Sequence, residues 1–144
     1  MSRLAFLLRF IAVVQLFFGV LFTFAPAHAG ALLGLEPSAT SGWVQWLFVM
    51  MGARFLGYGA GMLVAARDPL RHQSWINTMI GIQVIDWVGT VGYLLAGDLP
   101  VVRVASALIL PVVFVAGLLW WHPRRLAAAD AGTATQAPAT VSAA

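Results

Sequence analysis

Four long apolar stretches decide what this chain can fold into. They cover residues 4–24, 43–65, 75–96 and 101–121. Each has about the 20 residues that an α-helix needs to cross the hydrocarbon core of a bilayer. The chain is 61% hydrophobic and only 9% charged, against about 25% charged residues in soluble domains. The sequence therefore predicts an all-α integral membrane protein, with one four-helix transmembrane bundle over residues 1–126.

The only sizeable connection between these stretches is the segment 25–42. Prolines and glycines interrupt it, while Leu32, Leu33 and Leu35 are too apolar for open water. This mixture predicts a short helix that lies at the outer membrane interface. After residue 126 the chain is made mostly of Ala, Thr, Gly, Gln and Pro, a composition typical of disorder, so a disordered tail is expected over 127–144.

The arginines indicate how the bundle is oriented. The loops 25–42 and 97–100 contain no arginine or lysine, whereas five arginines flank the N-terminus, the 66–74 loop or the C-terminus: Arg3, Arg67, Arg71, Arg124 and Arg125. Cytoplasmic loops are enriched in basic residues, so this asymmetry predicts that both termini are cytoplasmic.

The N-terminus also fits a second interpretation. Arg3, the apolar run and the sequence Ala27-His28-Ala29 are compatible with a cleaved secretory signal peptide, whose removal would leave three spans. The run 4–24 is nevertheless a full-length span, and it carries a polar residue, Gln15, near its middle. We therefore expect it to be retained as the first transmembrane helix.

Two opposite charges lie where a bilayer disfavours them. Arg54 is eleven residues from Ala65, and Asp86 is eleven residues from Trp75. At about 1.5 Å per residue each lies roughly 16 Å deep, near the midplane of a hydrocarbon core of about 30 Å. Gln15 reaches the same depth in the first span. Because an isolated charge there costs at least about 2.5–3.5 kcal/mol, we expect these side chains to face the bundle interior.

The charge pair has two interpretations. Arg54 and Asp86 can form a gate or a ligand-binding site, or they can be an ion pair that only fixes helix register. Gln15 and Gln83 can complete the hydrogen bonding in either case, since each amide offers donors and an acceptor. Intramembrane ionisable residues are usually functional, but one matched pair is also the minimum that neutralises itself. The sequence leaves both readings open.

Two further patterns concern the faces of the second and third spans. Gly57 and Gly61 form a G-x-x-x-G motif, which predicts close approach of a neighbouring helix. Tyr58 lies one turn from Arg54 and Tyr93 lies two turns from Asp86, so both are candidates to line a ligand cavity beside the charges. On the third span the most polar helical face of the chain carries Met79, Gln83, Asp86, Thr90 and Tyr93.

Several kinds of chemistry are excluded or unsupported. The chain has no cysteine, which rules out disulfides, thiol redox chemistry and cysteine-ligated iron–sulfur clusters. His28, His72 and His122 all lie outside the predicted spans, so no haem with two axial histidines can lie within the bilayer. No metal or cofactor is predicted. No nucleophile or acid stands with a base at a catalytic spacing, so no catalytic residue is assigned and an enzyme is the weakest hypothesis.

The motifs resemble one known group of proteins. The second span contains Gly-Ala-Arg-Phe-Leu-Gly-Tyr-Gly at 52–59 and ends in Ala-Arg-Asp-Pro at 66–69, and the first carries an early Arg9. Over about 4–122 the chain is similar to the small four-helix bacterial membrane proteins called DoxX-like, and to their BphX-like relatives. The resemblance implies a four-helix bundle in a bacterial inner membrane. It implies no particular activity, and the cysteine chemistry proposed for some members could not operate here.

Two functions follow from these observations. The first is a binding or accessory protein for a lipid-like ligand or a membrane partner. The alternative is a small oligomeric transporter or channel in which Arg54 and Asp86 act as a gate or a proton-linked site. A cavity open to one side favours binding, and a water path to both sides favours transport. The expected partners are the bilayer, such a ligand or protein, and further copies of the chain, whereas no basic patch indicates nucleic acid.

Overall fold

Four long helices and one short helix form the protein. The computed structural model describes residues 2–35, 41–98, 100–126 and 128, and the helices are α1 Ser2–Phe24, α2 Pro26–Leu32, α3 Gly42–Arg67, α4 Gln73–Leu95 and α5 Val101–Trp120. Four of them are long and apolar enough to cross a membrane. The all-α, four-span prediction is confirmed, with every span boundary within two residues. Apart from Ala128, the predicted disordered tail lies outside the described residues.

The short helix α2 occupies the predicted place in the 25–42 segment. Pro26 stands at its first position, where a fixed φ and a missing N–H cost the helix nothing. Gly34 ends it with a φ of 71°, a left-handed conformation that glycine adopts without a Cβ clash. The Leu35 N–H then donates to the Gly30 carbonyl at 2.9 Å and closes a Schellman turn.

The most extensive helix–helix contact joins α1 to α3. Glycines make it close: a Cβ added to Gly52 would lie 2.7 Å from the Thr23 nitrogen, and one added to Gly59 would lie 2.7 Å from Leu16 Cγ. Of the two glycines in the predicted G-x-x-x-G motif, only one makes a close contact. Gly61 lies under the Trp75 ring of α4, while Gly57 has nothing within 4 Å of its Cβ position.

The helices pack most tightly at the end of the bundle where α1 begins and α5 ends, which we call the terminal end. Its apolar core draws on all four long helices and includes Leu4, Leu8, Ile11, Met62, Ile76, Met79, Phe114 and Leu118. At the opposite end, which we call the α2 end, a smaller cluster joins only the first three helices through Phe22, Ala29 and Phe48. The bundle is thus fully packed in one half only.

The second half of α4 diverges from the rest of the bundle. From Val84 to Leu95 none of its residues is buried, and α4 as a whole contacts α3 much less than it contacts α5. One polar contact to α5 is the Trp87 indole N–H, which donates to the Leu108 carbonyl at 3.1 Å. Pro111, inside α5, lacks the N–H that would continue the helical hydrogen bonding. A cleft lies between α1, α3, α4 and α5 towards the α2 end.

Candidate functional site

A cavity of 210 Å³ lies in this cleft and is lined by residues of α1, α3, α4 and α5. We call it the interior cavity. It reaches Leu33 at the α2 end, and Phe114, which belongs to the core of the terminal end, forms part of its wall. Its apolar lining includes the rings of Phe18, Phe22, Phe55 and Phe114, and its polar lining consists of Gln15, Gln83, Asp86 and Ser106.

Both glutamines are buried at the wall of the interior cavity. Gln15 and Gln83 are each only 6% exposed. Their side-chain amide nitrogens converge on one sulfur, since Nε2 of Gln15 lies 3.8 Å and Nε2 of Gln83 lies 3.6 Å from Met79 Sδ. Sulfur is a weak acceptor, so this arrangement orients both amides at a modest energetic gain.

The Gln15 carbonyl oxygen is left without a partner. Among the described residues no donor reaches Oε1 of Gln15, although that atom is buried. An unsatisfied buried acceptor costs about 1–3 kcal/mol. Oε1 itself has almost no accessible surface, but Gln15 lines the interior cavity, so a molecule in the cavity that carries a hydrogen-bond donor can remove this cost once the amide turns towards it.

Arg54 and Asp86 both line a second opening. A groove of 260 Å³ between α3 and α4, which we call the α3–α4 groove, is lined by Arg54, Tyr58 and Asp86 together with apolar side chains. Both charged side chains are exposed to it. Within the described part of the chain, no ion pair joins Arg54 to Asp86.

Asp86 connects the two spaces. Its side chain lines the interior cavity together with Gln15 and Gln83, and it also lines the α3–α4 groove together with Arg54. The Thr90 hydroxyl donates to the Asp86 backbone carbonyl at 2.8 Å, which leaves the carboxylate free of that neighbour. Asp86 is therefore the charged group placed to contact a molecule in either space.

Five of the six residues singled out from the sequence line one of these spaces. Gln15, Gln83 and Asp86 line the interior cavity, and Arg54 and Tyr58 line the α3–α4 groove. Tyr93 lines neither and is 62% exposed. It shares a helical face with Asp86, but it lies in the half of α4 that diverges from the bundle.

Two polar contributors were not anticipated from the sequence. Met79 appeared in the polar face of the third span, but nothing in the pattern showed that its sulfur would accept from two amides. Ser106 is the only hydroxyl-bearing residue of α5 and lines the interior cavity. A lone hydroxyl in an apolar span was the available signal for it.

Hydrogen bonds also tie the ends of the bundle together. At the α2 end, Nη1 of Arg103 donates to the Gly34 carbonyl at 2.8 Å, which connects α5 to the turn after α2. At the terminal end, Nε of Arg124 donates to Oε1 of Gln73 at 2.9 Å. Both contacts lie outside the interior cavity and fix the segments that surround it.

Comparisons with protein-family models, with curated proteins and with solved structures found no match. The likeness to DoxX-like proteins thus stays a prediction from the motifs at 52–59 and 66–69, and the chain's function has to be argued from the geometry of the interior cavity and the α3–α4 groove.

Proposed function

We propose that this multi-pass membrane protein binds a lipid-like molecule in the interior cavity, with the polar end of the ligand at Gln15, Gln83 and Asp86. The single observation that carries the proposal is the buried Oε1 of Gln15, which has no partner among the described residues, on a side chain that lines a mostly apolar cavity. Small-molecule sites are typically concave and mostly apolar, with a few convergent polar groups that fix the ligand. The interior cavity has this composition.

The packing of the terminal end supports binding over transport. A conduction path through a single chain would have to pass the core there, where Leu4, Leu8 and Ile11 are fully buried. The interior cavity instead adjoins that core and extends towards the α2 end, so it has the form of a cleft with a packed base. The oligomeric transporter that uses Arg54 and Asp86 as its gate remains the less favoured proposal.

The proposal includes a cellular setting. Together, the arginine distribution and the resemblance to DoxX-like proteins favour a bacterial inner membrane with both termini in the cytoplasm. In that orientation the interior cavity extends towards the outer leaflet, from which a small apolar molecule can enter between helices. A membrane partner protein or further copies of the chain could then receive the ligand.

Blocking the interior cavity tests the proposal. Ala107 lines the cavity from α5, whereas Ala116 lines a separate, apolar groove between α4 and α5. We expect native mass spectrometry of protein extracted in mild detergent to detect a bound amphiphile on the unaltered protein and on the Ala116→Phe control. The Ala107→Phe variant should lose it. The same bound species on all three proteins would contradict the proposal.

A further inference from the structure

The polar groups around the interior cavity select for a hydrogen-bond donor. The amide nitrogens of Gln15 and Gln83 already donate to Met79 Sδ, whereas Oε1 of Gln15 has no partner among the described residues. The second strong acceptor on the wall is the Asp86 carboxylate, which when ionised accepts hydrogen bonds and has no proton to donate. A ligand that brings a donor satisfies these atoms, and one that brings only acceptors does not.

The charge on the cavity wall further restricts the class of ligand. Asp86 is the only charged side chain on the wall of the interior cavity among the described residues, while Arg54 faces the α3–α4 groove. An anionic head, such as a fatty-acid carboxylate or a phosphate, would face the carboxylate of Asp86 without a cation beside it. Like charges in a poorly solvated site repel strongly. The cavity therefore disfavours anionic ligands.

Size and lining indicate the apolar part of the ligand. An engineered apolar protein cavity of about 150 Å³ binds benzene, so the interior cavity of 210 Å³ has room for one ring with a few substituent atoms. Four phenylalanine side chains line it: Phe18, Phe22, Phe55 and Phe114. Aromatic rings pack favourably against other rings in offset or edge-to-face arrangements. This lining suits a ring better than it suits a flexible acyl chain.

We propose that the interior cavity binds an uncharged aromatic ring that carries a hydroxyl group, and that the hydroxyl donates to Oε1 of Gln15. This inference rests on the proposed function and names the class of ligand for the same cavity. Ser106 and Asp86 offer further acceptors for a second hydroxyl on the ring. The ring itself occupies the space between the phenylalanines.

Three matched probes test the hydroxyl assignment. 4-Propylphenol has the donor, 4-propylanisole is a close analogue whose oxygen can only accept, and 4-propylbenzoate is an anion. Binding is measured by calorimetric titration of the protein in lipid nanodiscs, with empty nanodiscs as the blank. We expect the phenol to bind about threefold to tenfold more tightly than the anisole, the range that one hydrogen bond contributes. The benzoate should bind most weakly.

Two variants assign the preference to Gln15. Gln15→Met keeps a side chain of similar length and removes the unpartnered acceptor, so the phenol and the anisole should bind with equal affinity. Tyr93→Phe is the control: it removes a polar group from another span, but Tyr93 lines neither space, so the preference for the phenol should persist. The comparison of the probes on the unaltered protein needs no variant and stands even if Gln15→Met fails to fold.

The outcomes separate this inference from the proposed function. Equal affinity of the unaltered protein for phenol and anisole, with both abolished by Ala107→Phe, would overturn the hydroxyl assignment and leave the cavity as a ligand site. Binding that Ala107→Phe leaves unchanged, or no binding of any probe, would overturn both. Tightest binding of the benzoate would overturn the role given to Asp86.

Discussion

A single side chain, Gln15, carries more information about function than the two charges do. It is buried, its amide nitrogen has only a thioether as acceptor, and its carbonyl oxygen has no donor among the described residues. Replacement by an apolar residue would be expected to stabilise the empty protein, since an unsatisfied buried acceptor is unfavourable. Proteins commonly keep such destabilising groups where they serve function.

The sequence predicted that the polar residues lie at one level of the bundle, but not which of them lie close to one another. Counting residues along each span placed Gln15, Arg54 and Asp86 at one level, and the structure brings Gln15 and Asp86 to one cavity and Arg54 and Asp86 to one groove. Which neighbour each side chain contacts depends on the rotation and separation of the helices. Depth along an apolar run contains no information about either quantity.

Arg54 and Asp86 should contribute to stability almost independently of each other. Because no ion pair joins them within the described chain, we expect the effects of the two substitutions to add, with a coupling energy of at most about 0.5 kcal/mol. The measurement is the free energy of unfolding in detergent of the unaltered protein, Arg54→Gln, Asp86→Asn and the double variant. A coupling of about 3–5 kcal/mol would show that the two side chains close into a buried pair.

At the scale of the helices, length was predictable and packing was not. Runs of apolar residues set the spans to within two residues because the bilayer thickness fixes how long such a run must be. The short helix α2 was also predicted, because Leu32, Leu33 and Leu35 are too apolar for open water and favour a helix at the membrane interface. The close helix contact predicted from the G-x-x-x-G motif was wrong for Gly57. Such spacing recurs by chance in glycine-rich spans, and the position of the neighbouring helix decides which glycines lie in a contact.

Glycine substitutions in α3 test the α1–α3 contact. A Cβ at Gly52 would lie 2.7 Å from the Thr23 nitrogen and 2.9 Å from the Gly19 oxygen, whereas Gly57 has nothing within 4 Å. Since the clash at Gly52 is with backbone, we expect Gly52→Ala to lower the free energy of unfolding by about 1–3 kcal/mol. The matched change Gly57→Ala should leave it unchanged or raise it by about 0.5–1 kcal/mol, because alanine favours the helix. Equal losses at both positions would contradict the packing described for α1 and α3.

At the scale of the whole molecule, the bundle has one closed end and one open end. The core that joins all four long helices lies at the terminal end, and the interior cavity lies between this core and α2. All eight arginines fall among the described residues, and Arg103 is the one at the α2 end, where it donates to the Gly34 carbonyl. Arg103 is thus an exception to the concentration of arginines at the terminal end. Its hydrogen bond to the turn after α2 explains its position.

The orientation of this asymmetric bundle is open to a direct test. Five arginines flank the terminal end, so we expect both termini to be cytoplasmic and the α2 end to face outward. Alkaline phosphatase, which folds only outside the cytoplasm, should be inactive when fused after Leu126 and active when fused after Asp98, in the turn between α4 and α5. The two fusions control for each other, because they differ by the single span α5. Activity after Leu126 without activity after Asp98 would show that the bundle has the opposite orientation, with the interior cavity towards the inner leaflet. Activity at both sites would mean that α5 does not cross the membrane, which would remove one wall of the proposed binding cavity.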